Sequence, residues 1–265
     1  MPAIVPPMII GHRGASALAP ENTVAAFTQA IAAGAHGIEF DVRLSRDGAP
    51  VVIHDATLKR TGLIAGSVSN LSAADLETVD VGSWFNRKYP RLANINYTRE
   101  TIPRLRRLFD VMAPTAAVLY LEMKSDGRDS EPLARAVVEL INQYALRERI
   151  VVESFSLPSL ETVKRCDARI RTAALFEPKR RPVSLVRKLR MISLARRCGA
   201  DEIALHHSLL SRRLVEKARA HGLETVVWTV DHPRWIQRAR SYGIKSLITN
   251  HPARMIEYLK VSRLD

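Results

Sequence analysis

The chain has 265 residues, enough for one large core, and its 40 Lys and Arg against 27 Asp and Glu leave a net charge of +13. Its two cysteines, Cys166 and Cys198, stand in no metal-ligand or redox spacing, and no apolar run approaches the roughly 18 residues of a membrane helix, so a disulfide framework and a membrane-spanning helix are not expected. The charge invites a polyanion, yet without a helix-turn-helix, zinc-finger spacing or RNP-like aromatic run no nucleic acid is expected as a partner.

The opening MPAIVPPMII lacks a basic leader, and Ile9 and Ile10 are needed by a first strand, so no signal peptide is read and a soluble, cytoplasmic protein is expected. Those two β-branched residues form an apolar run that Gly11 stops, leaving His12 and Arg13 at a strand's C-terminal tip. Pro20 blocks an early helix, Asn22 is placed to cap one, and Val24, Phe27 and Ile31 recur at helical spacing until Gly34. The unit is strand, polar loop, helix, and in parallel α/β folds such loops bind ligands.

Gly37 to Asp55 reads as a hairpin around Asp47-Gly48. With these as the two loop residues, Arg46 faces Ala49 and Asp41 lies opposite His54. Glu39 and Asp41 share a face, where two carboxylates repel unless a cation or protons neutralise them, and a hard divalent metal would do so. From Ala56 to about Glu100 the pattern weakens, with a short helical stretch at Ser72 to Val79 and the exposed-looking WFNRKYP. We read an insertion, about residues 45–102, whose Trp84, Phe85 and Tyr89 cover a site or pack a small subdomain.

After a helix near Arg104 to Met112, VLYLEMKS puts Glu122 and Lys124 on one face at a strand's end. Strand starts at Ile9, Gly37, Val118, Ile150, Thr172, Glu202, Glu224 and Ser246, with helices between most of them, make eight, and that count predicts a single domain over 1–265, a (β/α)8 TIM barrel with a small insertion after the second strand. His12, Glu39, Asp41, Glu122, Lys124 and Trp228 all fall toward C-terminal strand ends, where such barrels carry their chemistry. Within Pro178 to Arg197 stand Lys179, Arg180, Arg181, Arg187, Lys188, Arg190, Arg196 and Arg197, with Leu185, Leu189 and Ile192 on a helical stripe. This segment reads either as a peripheral contact with an anionic membrane or as an outer helix with its stripe on the sheet.

These residues resemble the glycerophosphodiester phosphodiesterase family in HRG at His12 to Gly14, PENT at Pro20 to Thr23, Glu39 and Asp41, Asp47-Gly48, His54-Asp55, LEMK at Leu121 to Lys124 and WTV at Trp228 to Val230. The resemblance runs nearly the whole length and implies hydrolysis of a glycerophosphodiester to an alcohol and glycerol 3-phosphate. It implies a divalent cation on Glu39, Asp41 and Glu122, an acid/base pair in His12 and His54, phosphate contacts from Arg13 and Lys124, and an apolar substrate contact from Trp228. Where the family has T-D-x-P, this chain has Thr249, Asn250, His251 and Pro252, so the pairing made by that Asp is in question.

A phosphodiester resists nucleophiles, so catalysis must neutralise its charge, activate an oxygen and protonate the leaving alkoxide. Three carboxylates favour Mg²⁺ or Ca²⁺ over Zn²⁺, which His54 keeps in contention. The sequence leaves open which histidine is the base, and whether water or the glycerol 2-hydroxyl attacks. Alternatives are a lysophospholipase D or sphingomyelinase D-like enzyme on lipid substrates and, from a different class, a polyanion-binding barrel without activity. The other histidines, His206 and His207 included, are read as structural.

Overall fold

A computed structural model describes residues 6–125, 130–178 and 185–261. The chain opens with β1 (Met8–His12), α1 (Val24–Ala32), β2 (Gly37–Leu44) and β3 (Pro50–Val52), followed by the short helices α2 (Ala73–Leu76) and α3 (Ser83–Lys88) and then α4 (Leu105–Met112). Strands and helices then alternate as β4 (Val118–Met123), α5 (Ser130–Gln143), β5 (Ile150–Ser154), α6 (Leu157–Cys166), β6 (Arg171–Phe176) and α7 (Leu185–Arg197). The order closes with β7 (Glu202–His206), α8 (Arg212–Ala220), β8 (Glu224–Trp228), α9 (Arg234–Tyr242), β9 (Ser246–Thr249) and α10 (Pro252–Val261). The strand order β1-β9-β8-β7-β6-β5-β4-β2 returns to β1 through a parallel β1–β2 pairing, so the eight parallel strands close a (β/α)8 barrel with β3 antiparallel on β2.

Strand periodicity divides the side chains. Ile38, Phe40 and Val42 of β2, Leu119, Leu121 and Met123 of β4, and Ile150 and Val152 of β5 point outward into the layer between barrel and helices. The alternate positions Ile10, Tyr120, Val151, Ala173, Leu175, Val226 and Ile248 fill the barrel interior. That same inward parity carries His12, Glu39, Asp41, Glu122, Glu153 and Trp228 toward the C-terminal mouth.

Three local expectations are corrected. Thr23, not Asn22, caps α1 by accepting from Ala26 N, while Asn22 takes a left-handed φ of 59° and turns toward β2. In the hairpin, Val42 pairs with Val52 and Leu44 with Pro50, and Ile53 N donates to Asp41 O, so Asp41 opposes Ile53 and His54 lies one residue beyond. The slip arises because Ser45 pairs with Ala49 across a loop of Arg46, Asp47 and Gly48, whose Gly48 has φ +76°. In WFNRKYP, Trp84 and Phe85 are buried and only the residues from Arg87 onward are exposed. First-strand pairing also continues through Gly11 to His12.

β3 and the residues after it build their own small core from Val51, Ile53, Leu58, Val68, Leu76 and Ile102, and Phe85 sits edge-on to Trp84 and Tyr97. Lys179, Arg180 and Arg181 lie outside the described residues. In α7, Ile192 and Ala195 are buried against the barrel with Leu189 beside them, so this part of the stripe is used inside.

Gly37 tests barrel closure. A Cβ there would meet Val118 O at 2.0 Å across the β2–β4 seam, so Gly37→Ala is expected to cost about 2–4 kcal/mol in urea unfolding; a loss within experimental error would mean the two strands do not approach this closely.

Candidate active site

His12 leaves β1 with its Nε2 3.8 Å from Glu39 Oε2, and the next residue, Arg13, turns back with φ 55° so that its backbone N donates to the same oxygen at 2.9 Å. Gly14 permits the turn, since a Cβ there would lie 2.5 Å from the Ala26 carbonyl carbon. The Arg13 guanidinium is held by Glu21 Oε1 at 2.7 Å and Asp41 Oδ2 at 3.1 Å. Asn22 donates from Nδ2 to Asp41 Oδ2 at 2.8 Å and accepts Asp41 N on Oδ1. The polar loop Pro20 to Thr23 is therefore a clamp: Glu21 fixes Arg13, Asn22 fixes Asp41, and Thr23 starts α1.

Parallel β2–β4 pairing sets Asp41 against Glu122. One oxygen each of Glu39, Asp41 and Glu122 lie within 4.8 Å of one another, all buried, and Glu39 Oε1 has no hydrogen-bond partner. Three carboxylates gathered from adjoining strands with an orphaned oxygen fit a hard divalent cation. Lys124 Nζ stands 2.6 Å from Glu122 Oε1 and 3.1 Å from Asp41 Oδ1. Burial, then Asp41 and Glu122, hold the Glu39 carboxyl well above its ordinary pKa. Burial lifts Glu122 to about 7 against the pull of Lys124. For Asp41 burial acts upward too, but Arg13 and Lys124 outweigh it and keep it ionised.

Each predicted histidine has its Nδ1 on an oxygen. His12 Nδ1 is 2.7 Å from Asn250 Oδ1, and His54 Nδ1 is 2.6 Å from Asp55 Oδ1. Asn250 Nδ2 donates to Asp231 Oδ2 at 2.8 Å, and Asp231 can only accept, so Asn250 must turn its carbonyl toward His12. That oxygen accepts the Nδ1 proton of His12, which leaves Nε2 with its lone pair facing the site. The pairing left in question by Asn250 is thus made through its amide, with the carboxylate supplied one step behind by Asp231. Burial, then Arg13, push the His12 pKa down to about 4. Burial also lowers His54.

His12, Arg13, Glu39, His54, Glu122, Lys124 and Trp228 all line one cavity of about 220 Å³, together with Glu153, Phe155 and Glu177. Asp41 lies beneath it, so every residue singled out from sequence is gathered here. Trp228 stands edge-on to Phe155, with ring centroids 5.7 Å apart, and the pair forms an apolar wall of the cavity, with Lys124 Nζ 5.9 Å from the Phe155 ring.

Sequence reasoning passed over Glu153. It pairs in register with Glu122 across β4–β5, shares the inward parity of Val151, and its Oε2 is buried without a partner. Its position two residues after an inward Val was the available signal. Burial, then Glu39 and Glu122, raise its pKa well above the ordinary value.

The glycerophosphoryl diester phosphodiesterase family model matches residues 12–254. A glycerophosphodiester phosphodiesterase of Caldanaerobacter subterraneus subsp. tengcongensis is 30% identical over 253 residues, covering 96% of this chain and 98% of that protein. One from Bacillus subtilis is 30% identical over 251 residues, covering 92% and 84%. Among solved structures, a phosphodiesterase of Oleispira antarctica in complex with the product sn-glycerol-3-phosphate matches with a TM-score of 0.84 at 25% identity, over 96% of this chain and 97% of that one. A glycerophosphodiester phosphodiesterase of Agrobacterium tumefaciens matches at 0.77 and 26% identity, over 94% and 98%.

The folded-state pKa of Glu153 lies above its unfolded value, so this group's stability contribution is full below the unfolded pKa and is lost as pH rises toward the folded one. In chelator-stripped protein, Glu153→Gln is therefore expected to gain unfolding free energy relative to the parent as pH rises above the ordinary carboxyl range, by up to about 1.4 kcal/mol per pH unit in urea unfolding. A pH-independent difference between the two would contradict the raised carboxyl.

Proposed function

The chain belongs to the glycerophosphoryl diester phosphodiesterase family, and from that membership we propose that its barrel mouth hydrolyses a glycerophosphodiester to an alcohol and glycerol 3-phosphate with histidine acid/base catalysis and a divalent cation. The observation that carries the reading is the convergence of His12 and His54 with Glu39, Asp41 and Glu122 at one cavity.

Glu39, Asp41 and Glu122 would hold Mg²⁺ or Ca²⁺, with Zn²⁺ less suited to an all-carboxylate set. When bound there, such a cation would supply positive charge to offset that of the phosphate and to acidify the attacking hydroxyl. Arg13 and Lys124 line the same cavity as the carboxylates and take the remaining phosphate charge. His12, neutral and with Nε2 unprotonated, removes the proton of the attacking oxygen, which is water or the glycerol 2-hydroxyl. His54, oriented through Nδ1 by Asp55 and protonated on Nε2 as the imidazolium, gives that proton to the leaving alkoxide as its bond to phosphorus breaks and returns to the neutral form. Trp228 and Phe155 exclude water beside the alcohol. Their exposed apolar wall, with Phe155 41% accessible, also makes a lysophospholipid or sphingolipid a second substrate class to assay.

A peripheral contact of residues 178–197 with an anionic membrane would rest on the exposed Arg190, Arg196 and Arg197 and on Val186, 77% accessible, because Ile192 and Ala195 of α7 are used against the barrel with Leu189 beside them.

Release of glycerol 3-phosphate from glycerophosphocholine is the test. Chelator-stripped protein should be inactive and recover with Mg²⁺ or Ca²⁺, while His12→Ala and Glu39→Gln should lose about 10²- to 10⁴-fold and 10²-fold or more in kcat. Turnover that survives both chelation and His12→Ala would refute the scheme.

A further inference from the structure

Five of the eight exposed large apolar side chains among the described residues sit on the insertion rather than on the barrel, and three of them, Tyr89 at 37%, Leu92 at 40% and Ile95 at 78% accessible, recur every third residue. All residues from Arg87 to Asn96 are exposed. From Val81 to Arg99 the chain carries Arg87, Lys88, Arg91 and Arg99 and no acid. This exposed run is both apolar and cationic, and it gathers three of those eight side chains between Tyr89 and Ile95.

The run is also built to hold its shape. Asn86 Nδ2 donates to Asn94 O at 2.9 Å and Asn94 N donates to Asn86 Oδ1 at 3.0 Å, clipping the base of the loop. Gly82 packs so tightly that a Cβ would fall 1.7 Å from Tyr97 O, and Phe85 supports the loop from below with its ring 4.9 Å from that of Tyr89. The platform joins the active-site mouth directly. Tyr97 OH donates to Leu18 O in the β1–α1 loop, and Trp84 lies under Arg60, which bonds Glu21, the residue that holds Arg13. Elsewhere in the insertion, Leu63 and Ile64 are 44% and 48% exposed, with Leu63 in a left-handed φ of 56°.

We propose that this face of the insertion docks the enzyme on an anionic phospholipid bilayer. Leu92 and Ile95 enter the boundary between headgroups and acyl chains, Tyr89 sits at headgroup level, and Arg87, Lys88 and Arg91 meet lipid phosphates. Nucleic acid would use the same cations but gains nothing from two aliphatic side chains in solvent, and it lacks a stacked aromatic row here. The basic α7 follows β6, three strands around the barrel from β2, so it is a surface separate from the insertion and is tested separately. The inference does not depend on the hydrolytic reading.

Full-length protein would be sedimented with vesicles of phosphatidylglycerol and phosphatidylcholine, or of phosphatidylcholine alone, at physiological salt. Binding is expected only with the anionic vesicles. Leu92→Ser with Ile95→Ser should weaken it about tenfold, and Arg87→Glu with Lys88→Glu and Arg91→Glu by 10²-fold or more, at about fivefold per cation removed. Arg196→Glu with Arg197→Glu should leave it intact. No binding to anionic vesicles, binding lost only in the Arg196 and Arg197 variants, or equal affinity for duplex DNA that ignores Leu92→Ser and Ile95→Ser would each overturn the proposal.

Discussion

Like charges forced together where water is scarce are the constraint on which this structure depends. Glu39, Asp41 and Glu122 bring buried carboxylate oxygens within 4.8 Å of one another, and no arrangement of apolar neighbours could make that tolerable. The chain answers with Arg13 and Lys124 on Asp41, and with protonation pushed upward at Glu39 and Glu122. Each answer then requires its own support. Arg13 must be aimed, so Glu21 grips it, and Asp41 must be oriented, so Asn22 bonds it twice.

The opposite end of the barrel offers a contrast. Glu202 is fully buried at the start of β7, yet it is bonded by Tyr120 OH, Arg171 and Lys245 Nζ. A buried carboxylate with its partners in place contributes to structure and is chemically quiet. Glu39 Oε1 and Glu153 Oε2, at the mouth, have none. Among these buried carboxylates, the one at the strand starts is fully partnered and the two at the mouth keep an unpaired oxygen. Arg60 extends the mouth's network outward by bridging Glu21 and Asp55, so the insertion is tied electrostatically to the same cluster it borders.

Much of this was legible in the sequence because it is local. Alternation along each strand fixes which residues point inward, and that period brought Glu39, Asp41, Glu122 and Trp228 to one side of the barrel wall without knowledge of their neighbours. Eight apolar runs separated by helical spacing determined the architecture for the same reason, and the motif residues carried the family. Where the reading slipped, the error was one of register or partner. Asp47-Gly48 promised a two-residue loop, but Ser45 and Ala49 close a three-residue one, and a single step moved His54 from opposite Asp41 to beyond it.

The sequence by itself, then, determined the barrel, the parity of its strands and which side chains gather at its mouth, since each follows from residues a few positions apart. Only the tertiary structure decided how those side chains are paired. His12 meets Asn250 across 238 residues of chain, with Asp231 behind the amide, and Glu153 stands against Glu122 because β4 and β5 adjoin. Such contacts exist only once the barrel closes and its register is set by packing on both faces of every strand. Whether Trp84 is buried or Ile95 exposed was settled in the same way, by what the folded insertion could enclose and what it left to solvent.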